Sequence, residues 1–201
     1  MALPIAHAAA GYLVARAARR PPGSGRSSTE AWRRAAVFMI IGNLPDLDFL
    51  IGFALGRPGL VHRGFSHTLL AAVLFGIATG AFVSWRGRER FMPAALALGA
   101  AYASHILIDW MTTDTRPPVG GQFLWPFSDA YTIAPVTIFS EIYLDGRTRS
   151  GFLDTLFAWP VVVVLVRELG MAAVAIGGWH VLEALRTRAV TEPTLAGEDL
   201  A

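Results

Sequence analysis

The chain has 201 residues, a length typical of one domain. Hydrophobic residues make up 54% of it and charged residues 16%, against about 25% charged residues in an ordinary soluble domain. This composition excludes a disordered protein and disfavours a freely soluble monomer. The formal net charge is +2 at pH 7 and cysteine is absent, which excludes disulfide frameworks, thiol catalysis and cysteine-ligated metal sites.

The first two predicted helices are short and apolar. Arginines follow Pro4–Ala18 rather than precede it, which is the reverse of a cleavable signal peptide, so we expect this segment to remain in the protein. Residues 21–28 have the composition of a linker. A second helix is expected to start near Glu30 and to break over residues 42–45, with a kink or a restart at Pro45, which lacks the N–H that a helix interior needs.

Two later stretches have the length of membrane-spanning helices. Thr68–Trp85 and Phe91–Ile108 are free of formally charged residues, and a helix of eighteen residues rises about 27 Å, close to the hydrocarbon thickness of about 30 Å. Neither stretch has a polar stripe, so each is expected to be surrounded by apolar groups. The alternative is a pair of buried core helices in a soluble protein.

The remaining chain predicts an irregular cap and further helices. Residues 111–152 are rich in Pro and Gly, whereas Leu153–Val166 and Leu169–Leu185 are apolar and form one long helix or two shorter ones. Residues 189–201 are interpreted as a disordered acidic tail. We therefore predict an all-α, membrane-embedded helical bundle with an irregular cap, in which residues 1–188 form a single domain.

Arginines cluster over residues 16–34 and 86–90. These clusters lack the interleaved aromatic residues of a nucleic-acid site, so we interpret them as loops at the membrane edge and expect no nucleic-acid partner. Short arginine-rich loops stay in the cytoplasm, so both clusters are expected to face it.

Histidine and aspartate residues stand at the opposite ends of the predicted helices. His105 and Asp109 are four residues apart on one helix face, where an imidazole and a carboxylate can share a metal ion. An isolated pair of this kind is more often structural. If the helices run antiparallel, however, all the candidates meet at one end of the bundle: His7, Asp46, Asp48, His62, His67, His105 and Asp109. Carboxylates and imidazoles gathered near hydrocarbon are costly unless a cation lies between them, and this end is expected to face the outer side.

Four strings of residues resemble the bacterial inner-membrane metal-dependent hydrolase family, the YdjM-like proteins. The strings are Gly42–Asp48 (GNLPDLD), His62–His67 (HRGFSH), His105–Asp109 (HILID) and Leu124–Ser128 (LWPFS). The resemblance covers roughly residues 1–130. In the logic of its motifs the family is similar to zinc-dependent phospholipase C and the related single-strand nucleases, which are all-helical enzymes with clustered metals.

The resemblance implies a role for each candidate. The implied metal ligands are His7, Asp46, His62, His67, His105 and Asp109, which would hold one or two divalent ions, zinc or alternatively manganese. Asp48 would be a further ligand or the base that activates a metal-bound water, and Arg63 would hold a phosphate oxygen. Asp114 either joins the site or is a solvated loop carboxylate, and His180 is expected to lie far from it.

We therefore predict a multi-pass hydrolase of the bacterial inner membrane that cleaves a phosphoester or lipid-like substrate through a metal-activated water. The alternatives are a non-catalytic membrane metal-binding protein and a soluble all-helical phosphoesterase. A transporter is disfavoured because the ionisable groups cluster at one end rather than along a path. A serine hydrolase is disfavoured because the chain has no Gly-x-Ser-x-Gly elbow.

Overall fold

The computed structural model describes residues 2–18 and 27–191. Most of the predicted linker, and the predicted tail from residue 192, lie outside these ranges. The described chain contains these elements in order: α1 (Pro4–Ala17), α2 (Ser28–Ile41), a 3₁₀ turn (Leu44–Leu47), α3 (Asp48–Ala54), a second 3₁₀ turn (Phe65–His67), α4 (Leu69–Trp85), α5 (Phe91–Trp110), α6 (Arg149–Leu156) and α7 (Trp159–Thr191). The predicted all-α fold is thereby confirmed.

The second helix starts and breaks close to where the sequence predicts. Ser27 caps α2 by accepting a hydrogen bond from the backbone of Glu30, whose side chain accepts one from Ser27 in return. After Gly42 the chain forms a 3₁₀ turn that begins next to Pro45, and the axis bends by 55° into α3. The helix thus restarts after the break, as one of the two predicted alternatives, and the new helix α3 begins at Asp48.

Small residues let the central helices pack closely. Ala71 and Ala72 of α4 and Ala101 of α5 are buried in the main core. A Cβ atom at Gly80 would lie 2.7 Å from Ala95 of the neighbouring helix. Because side chains this small bring the backbones together, α4 and α5 form a tight antiparallel pair whose site-facing ends carry His67 and His105.

Two helices of the described chain are long and apolar enough to cross a membrane, or three if the bent pair Ser28–Ile41 and Leu44–Ala54 counts as one span. They are Phe91–Trp110, with a mean hydropathy of 1.6, and Trp159–Arg188, with a mean hydropathy of 2.0. The prediction for α5 is thus confirmed. Within the predicted span Thr68–Trp85, Thr68 only caps α4, so the helix has 17 residues and is a shorter apolar helix than these two, at the lower end of the range of about 17–25 residues for a span.

The cap and the C-terminal helices follow the predicted order. Residues 111–148 are irregular, with isolated bridges pairing Thr112 with Phe139 and Gly121 with Thr132. The predicted stretch Leu153–Val166 is divided, because α6 ends at Leu156 and α7 starts only at Trp159. From there one long helix, α7, runs through Arg167 and Glu168, where a break was the alternative. It continues to Thr191, so the first residues of the predicted tail are helical, and it packs against α1.

Candidate metal centre

Five segments of the chain bring the predicted ligands together. The first turns of α1 supply His7, the 3₁₀ turn after α2 supplies Asp46, and the last turns of α5 supply His105 and Asp109. His62 comes from the loop after α3, and His67 ends the second 3₁₀ turn. Their contacts place all six side chains in one cluster, as the topology argument predicts.

Four ligand atoms form the centre of the cluster. The Nε2 atoms of His67 and His105 are 3.2 Å apart. Asp46 Oδ1 lies 3.4 Å from the first nitrogen and 3.5 Å from the second. Asp109 Oδ2 lies 3.7 Å from His67 Nε2 and 3.6 Å from His105 Nε2. Zinc bonds of about 2.0–2.1 Å place neighbouring ligands of a tetrahedron about 3.3–3.4 Å apart, so these five distances are close to those between the ligands of one zinc ion.

His7 and His62 flank this central set on two sides. His7 Nε2 lies 3.7 Å from Asp109 Oδ1, and its ring stacks on that of His105 with centroids 3.7 Å apart. His62 Nδ1 lies 4.0 Å from Asp46 Oδ1. His7, His105 and Asp109 form one group that could hold an ion, and Asp46, His62 and His67 form another. The donor set therefore suits one ion or two.

Unpaired polar atoms are concentrated in this cluster. Seven buried ligand atoms have no hydrogen-bond partner among the described residues: both ring nitrogens of His7, both carboxylate oxygens of Asp46 and of Asp109, and Nε2 of His62. Buried polar atoms are almost always paired, and each unpaired one costs about 1–3 kcal/mol. A divalent cation would satisfy these lone pairs together, so the residues fit a metal ion.

Contacts behind the ligands orient the rings. His105 donates through Nδ1 to the carbonyl oxygen of Gly42 at 2.9 Å, so its Nε2 carries the lone pair. Asp48 Oδ1 lies 3.0 Å from His62 Nδ1. The other oxygen, Asp48 Oδ2, lies 3.3 Å from His67 Nδ1 and accepts a hydrogen bond from Ser66 Oγ at 2.9 Å. Asp48 thus stands behind two imidazoles, in the position of a residue that orients ligands.

The charge state of His67 also reflects the crowded carboxylates. Burial lowers the pKa of His67, but the contacts with Asp46 and Asp48 outweigh it and raise this pKa to about 9. Without a cation, then, the cluster favours a proton on this ring. An ion that binds here takes the place of that proton.

Arg63 lies next to the cluster in a backbone conformation that is unusual for a residue with a side chain. Its φ is 61°, in the left-handed region. The guanidinium contacts Asp114 Oδ2 and donates to the carbonyl oxygen of Gly120. Burial opposes ionisation of Asp114, but the hydrogen bonds from Arg63 and the Gly120 N–H hold the pKa of Asp114 below its ordinary value. Asp114 is therefore not a solvated loop carboxylate, since it fixes the arginine.

The accessible edge of the cluster opens into a pocket. The side chains of His7, His105 and Asp109 are 0–2% exposed, whereas those of His62 and Asp46 are 11% and 13% exposed. A pocket of about 200 Å³ adjoins His62, with Arg63, Asp114, Arg116 and Glu141 in its wall. A small polar molecule could reach the cluster from this side.

The opposite end of the bundle is basic, as predicted. Arg34 of α2 and Glu89 of the α4–α5 loop form an ion pair at 2.5 Å, so the two arginine clusters meet there. His180 contacts Tyr12 and Glu183 and belongs to neither group of ligands, in agreement with the prediction.

Two features of the site were missed from the sequence. Gly42 approaches His7 so closely that a Cβ atom would lie 2.5 Å from the His7 carbonyl oxygen. Glu168, which is 1% exposed, accepts hydrogen bonds from the start of α1. The sequence offers a partial indication of the first feature, because Gly42 lies in one of the four motifs. It also indicates the second, because a charged residue such as Glu168 inside an apolar helix is a candidate for a functional role.

The fold and the site together define a class, an apolar all-helical membrane protein with a buried cluster of histidines and carboxylates. The chain belongs to the YdjM inner membrane protein family, which it matches over residues 1–180, well beyond the stretch on which the motifs lie. It is 35% identical over 101 residues to inner membrane protein YbcI of Escherichia coli (strain K12), an alignment that covers 48% of this chain and 56% of that protein. The chain thus spans about half the length of this curated relative. No solved structure matches the chain significantly.

Proposed function

We propose that the protein is a metal-dependent hydrolase of the inner membrane that cleaves a phosphoester, with a lipid-like molecule as its substrate. The observation that carries the proposal is the buried cluster of histidines and carboxylates, which has seven atoms without a hydrogen-bond partner among the described residues and lies beside a pocket that adjoins His62. Cleavage in the manner of the zinc-dependent phospholipases C is part of the proposal.

In this proposal zinc is held by His67, His105, Asp46 and Asp109, and His7 and His62 complete the coordination or hold a second ion. A divalent ion at such a site lowers the pKa of coordinated water toward neutrality and polarises an ester. For Asp48 we propose a role other than the predicted ones of base or ligand. Its two oxygens already face His62, His67 and Ser66, so we assign it to orienting the histidines.

The pocket wall favours an anionic group over a cationic one. Both carboxylates in the wall are already engaged by other residues. Asp114 contacts Arg63 and accepts from two backbone N–H groups, and Glu141 accepts hydrogen bonds from the backbone and side chain of Thr115. The guanidinium of Arg116 lies over the Tyr143 ring and forms no hydrogen bond with another described residue. The groups of the pocket wall that are free to form further hydrogen bonds are therefore mostly donors. A phosphate group fits such a pocket, because it accepts hydrogen bonds and arginine is suited to binding it.

The charge distribution supports an orientation in the membrane. Arg34 lies at the end of the bundle away from the metal ligands, and short arginine-rich loops remain cytoplasmic. We therefore propose a multi-pass protein whose metal centre faces the outer side, at the level of the lipid headgroups.

The proposal is tested by hydrolysis of chromogenic phosphodiesters and of phospholipid vesicles with the purified protein in detergent. We expect activity that a chelator abolishes and that added zinc restores, and a large loss of activity in the Arg63→Ala variant. Arg149→Ala is the matched control, because Arg149 contacts the backbone of α3 and lies outside the pocket. Zinc binding without any hydrolysis would reject the enzymatic part of the proposal.

A second candidate is a membrane protein that holds its metal for structural reasons. It is favoured by one observation, the near-complete burial of His7, His105 and Asp109, since a closed coordination shell is typical of structural zinc. This candidate predicts a zinc-dependent melting temperature and inactivity toward all the phosphoesters tested.

A further inference from the structure

The long C-terminal helix α7 carries a buried carboxylate that the proposed mechanism does not use. Glu168 lies within the apolar span Trp159–Arg188 and is only 1% exposed. A carboxylate in the middle of such a helix is costly unless it has partners. Its Oε1 accepts a hydrogen bond from the backbone N–H of Leu3 at 2.7 Å, and its Oε2 accepts one from the N–H of Ala6 at 3.2 Å.

These two bonds replace the missing cap of α1. The helix begins at Pro4 after Leu3, and no side chain near its start caps it. The first N–H groups of a helix have no partner within the helix, and a negative charge there is stabilising. Glu168 supplies both the acceptor atoms and the charge, although it is more than 160 residues away in the sequence.

The position of His7 depends on this first turn. His7 directly follows Ala6, and its ring makes no hydrogen bond with any described residue. The backbone of α1 and the stacking on His105 are therefore what hold the ring against the carboxylate of Asp109. A shift of the first turn would move the His7 Nε2 atom away from the metal centre.

We propose that Glu168 is the positioning residue for His7: by capping α1 from the transmembrane helix α7, it holds this imidazole in the metal centre. The proposal rests on the metal centre of the proposed function. It gives the C-terminal third of the chain, which carries none of the family-like motifs, a defined role in the site.

The chain offers a matched control for this role. Glu183 also lies on α7 and also contacts α1, through Arg16. Arg16 lies near the end of α1, nine residues after His7 along that helix. A substitution at Glu183 therefore weakens the packing of α7 on α1 without touching the first turn.

The test measures zinc affinity by competition with a chromogenic chelator, and amide hydrogen exchange over residues 2–10 in metal-free protein. The variants are Glu168→Ala, Glu168→Gln, Glu183→Ala, His7→Ala and the double variant of His7→Ala with Glu168→Ala. We expect E168A to lower zinc affinity about 10- to 100-fold, as loss of a residue behind a ligand does, and E168Q to lower it less, because its amide oxygen still accepts one hydrogen bond. E183A should keep the affinity of the parent protein.

If Glu168 acts through His7, adding E168A to H7A causes no further loss of affinity. An E168A protein with parental affinity, or an equal further loss in the H7A background, would overturn the proposal. If the parent protein binds no zinc, the proposed function fails. Hydrogen exchange then tests separately whether Glu168 caps α1. Faster exchange over residues 2–10 in E168A but not in E183A supports its capping of α1, and unchanged exchange rejects it.

Discussion

At the scale of single residues, the centre depends on the groups behind its histidines as much as on the ligands. A ligating imidazole binds through one nitrogen, so the contact made by the other nitrogen sets its tautomer and its orientation. The Gly42 carbonyl oxygen does this for His105, and the Asp48 carboxylate does it for His62 and His67.

Replacing Asp48 by asparagine tests this role. The amide keeps the shape of the side chain but loses one acceptor oxygen and the charge, so we expect zinc affinity to fall about 10- to 100-fold while the helical content is retained. Affinity is measured by chelator competition, and folding by circular dichroism. Asp145→Asn is the control, since Asp145 is paired with the exposed Arg147 of the cap. Parental affinity in D48N would show that Asp48 does not orient the ligands.

The sequence predicted which histidines and carboxylates lie together better than it predicted the contacts that orient them. His105 and Asp109 could be identified because four-residue spacing on a helix fixes their relative position. The orienting contacts of Asp48 depend on how the loop that carries His62 folds back over α3, and no local pattern encodes that. The partner of Glu168 is likewise set by tertiary packing.

At the scale of elements, the close contact of α1 with the end of α2 determines how near His7 and His105 can come. Gly42 has φ −61°, which any residue can adopt, so glycine is needed there for space alone. A Cβ atom would lie 2.5 Å from the carbonyl oxygen of His7, a distance that forces one of the two segments to move.

The variant Gly42→Ala is expected to push α1 away from the centre. Overpacking of this kind costs about 1–3 kcal/mol, and the displacement of His7 and of the Gly42 carbonyl should lower zinc affinity as well. Thermal unfolding and zinc titration in detergent measure the two effects. Gly170→Ala on α7 is the control, because a Cβ atom there meets no other atom within 4 Å. A G42A protein with unchanged stability and zinc affinity would contradict this account of the contact.

The elements that were predicted correctly have local signals. Charge-free runs identify α4 and α5, and Pro45 marks the break after α2. The 3₁₀ turn and α3, by contrast, form one short stretch that is bent by 55° relative to α2, and packing rather than periodicity determines this arrangement. The length of α4 was overestimated because Thr68 has the composition of the helix but acts as its cap.

At the scale of the whole molecule, the bundle has two chemically distinct ends. The ends of α1 and α5 and the turns before α3 and α4 gather the histidines and carboxylates, and the opposite end pairs Arg34 with Glu89. This separation follows from the antiparallel order of the helices, which is why chain order and residue spacing were sufficient to predict it.

The proposed orientation can be tested with single cysteines, because the chain contains none of its own. One variant is Arg88→Cys, in the arginine-rich loop between α4 and α5. The other is Phe127→Cys, in the cap, where Phe127 is 85% exposed. In intact cells we expect a membrane-impermeant maleimide to label F127C, and to label R88C only after the membrane is permeabilised. Labelling of R88C alone in intact cells would place the metal centre on the cytoplasmic side.

The most direct test of the metal centre is the zinc content of the purified protein, measured by mass spectrometry after equilibration with zinc and removal of the free ion. The parent protein and His180→Ala are predicted to retain at least one ion per chain, because His180 contacts only groups away from the cluster. His67→Ala and Asp109→Ala are predicted to lose most of it. Full zinc content in both of these variants, or a parent protein that retains none, would contradict the account.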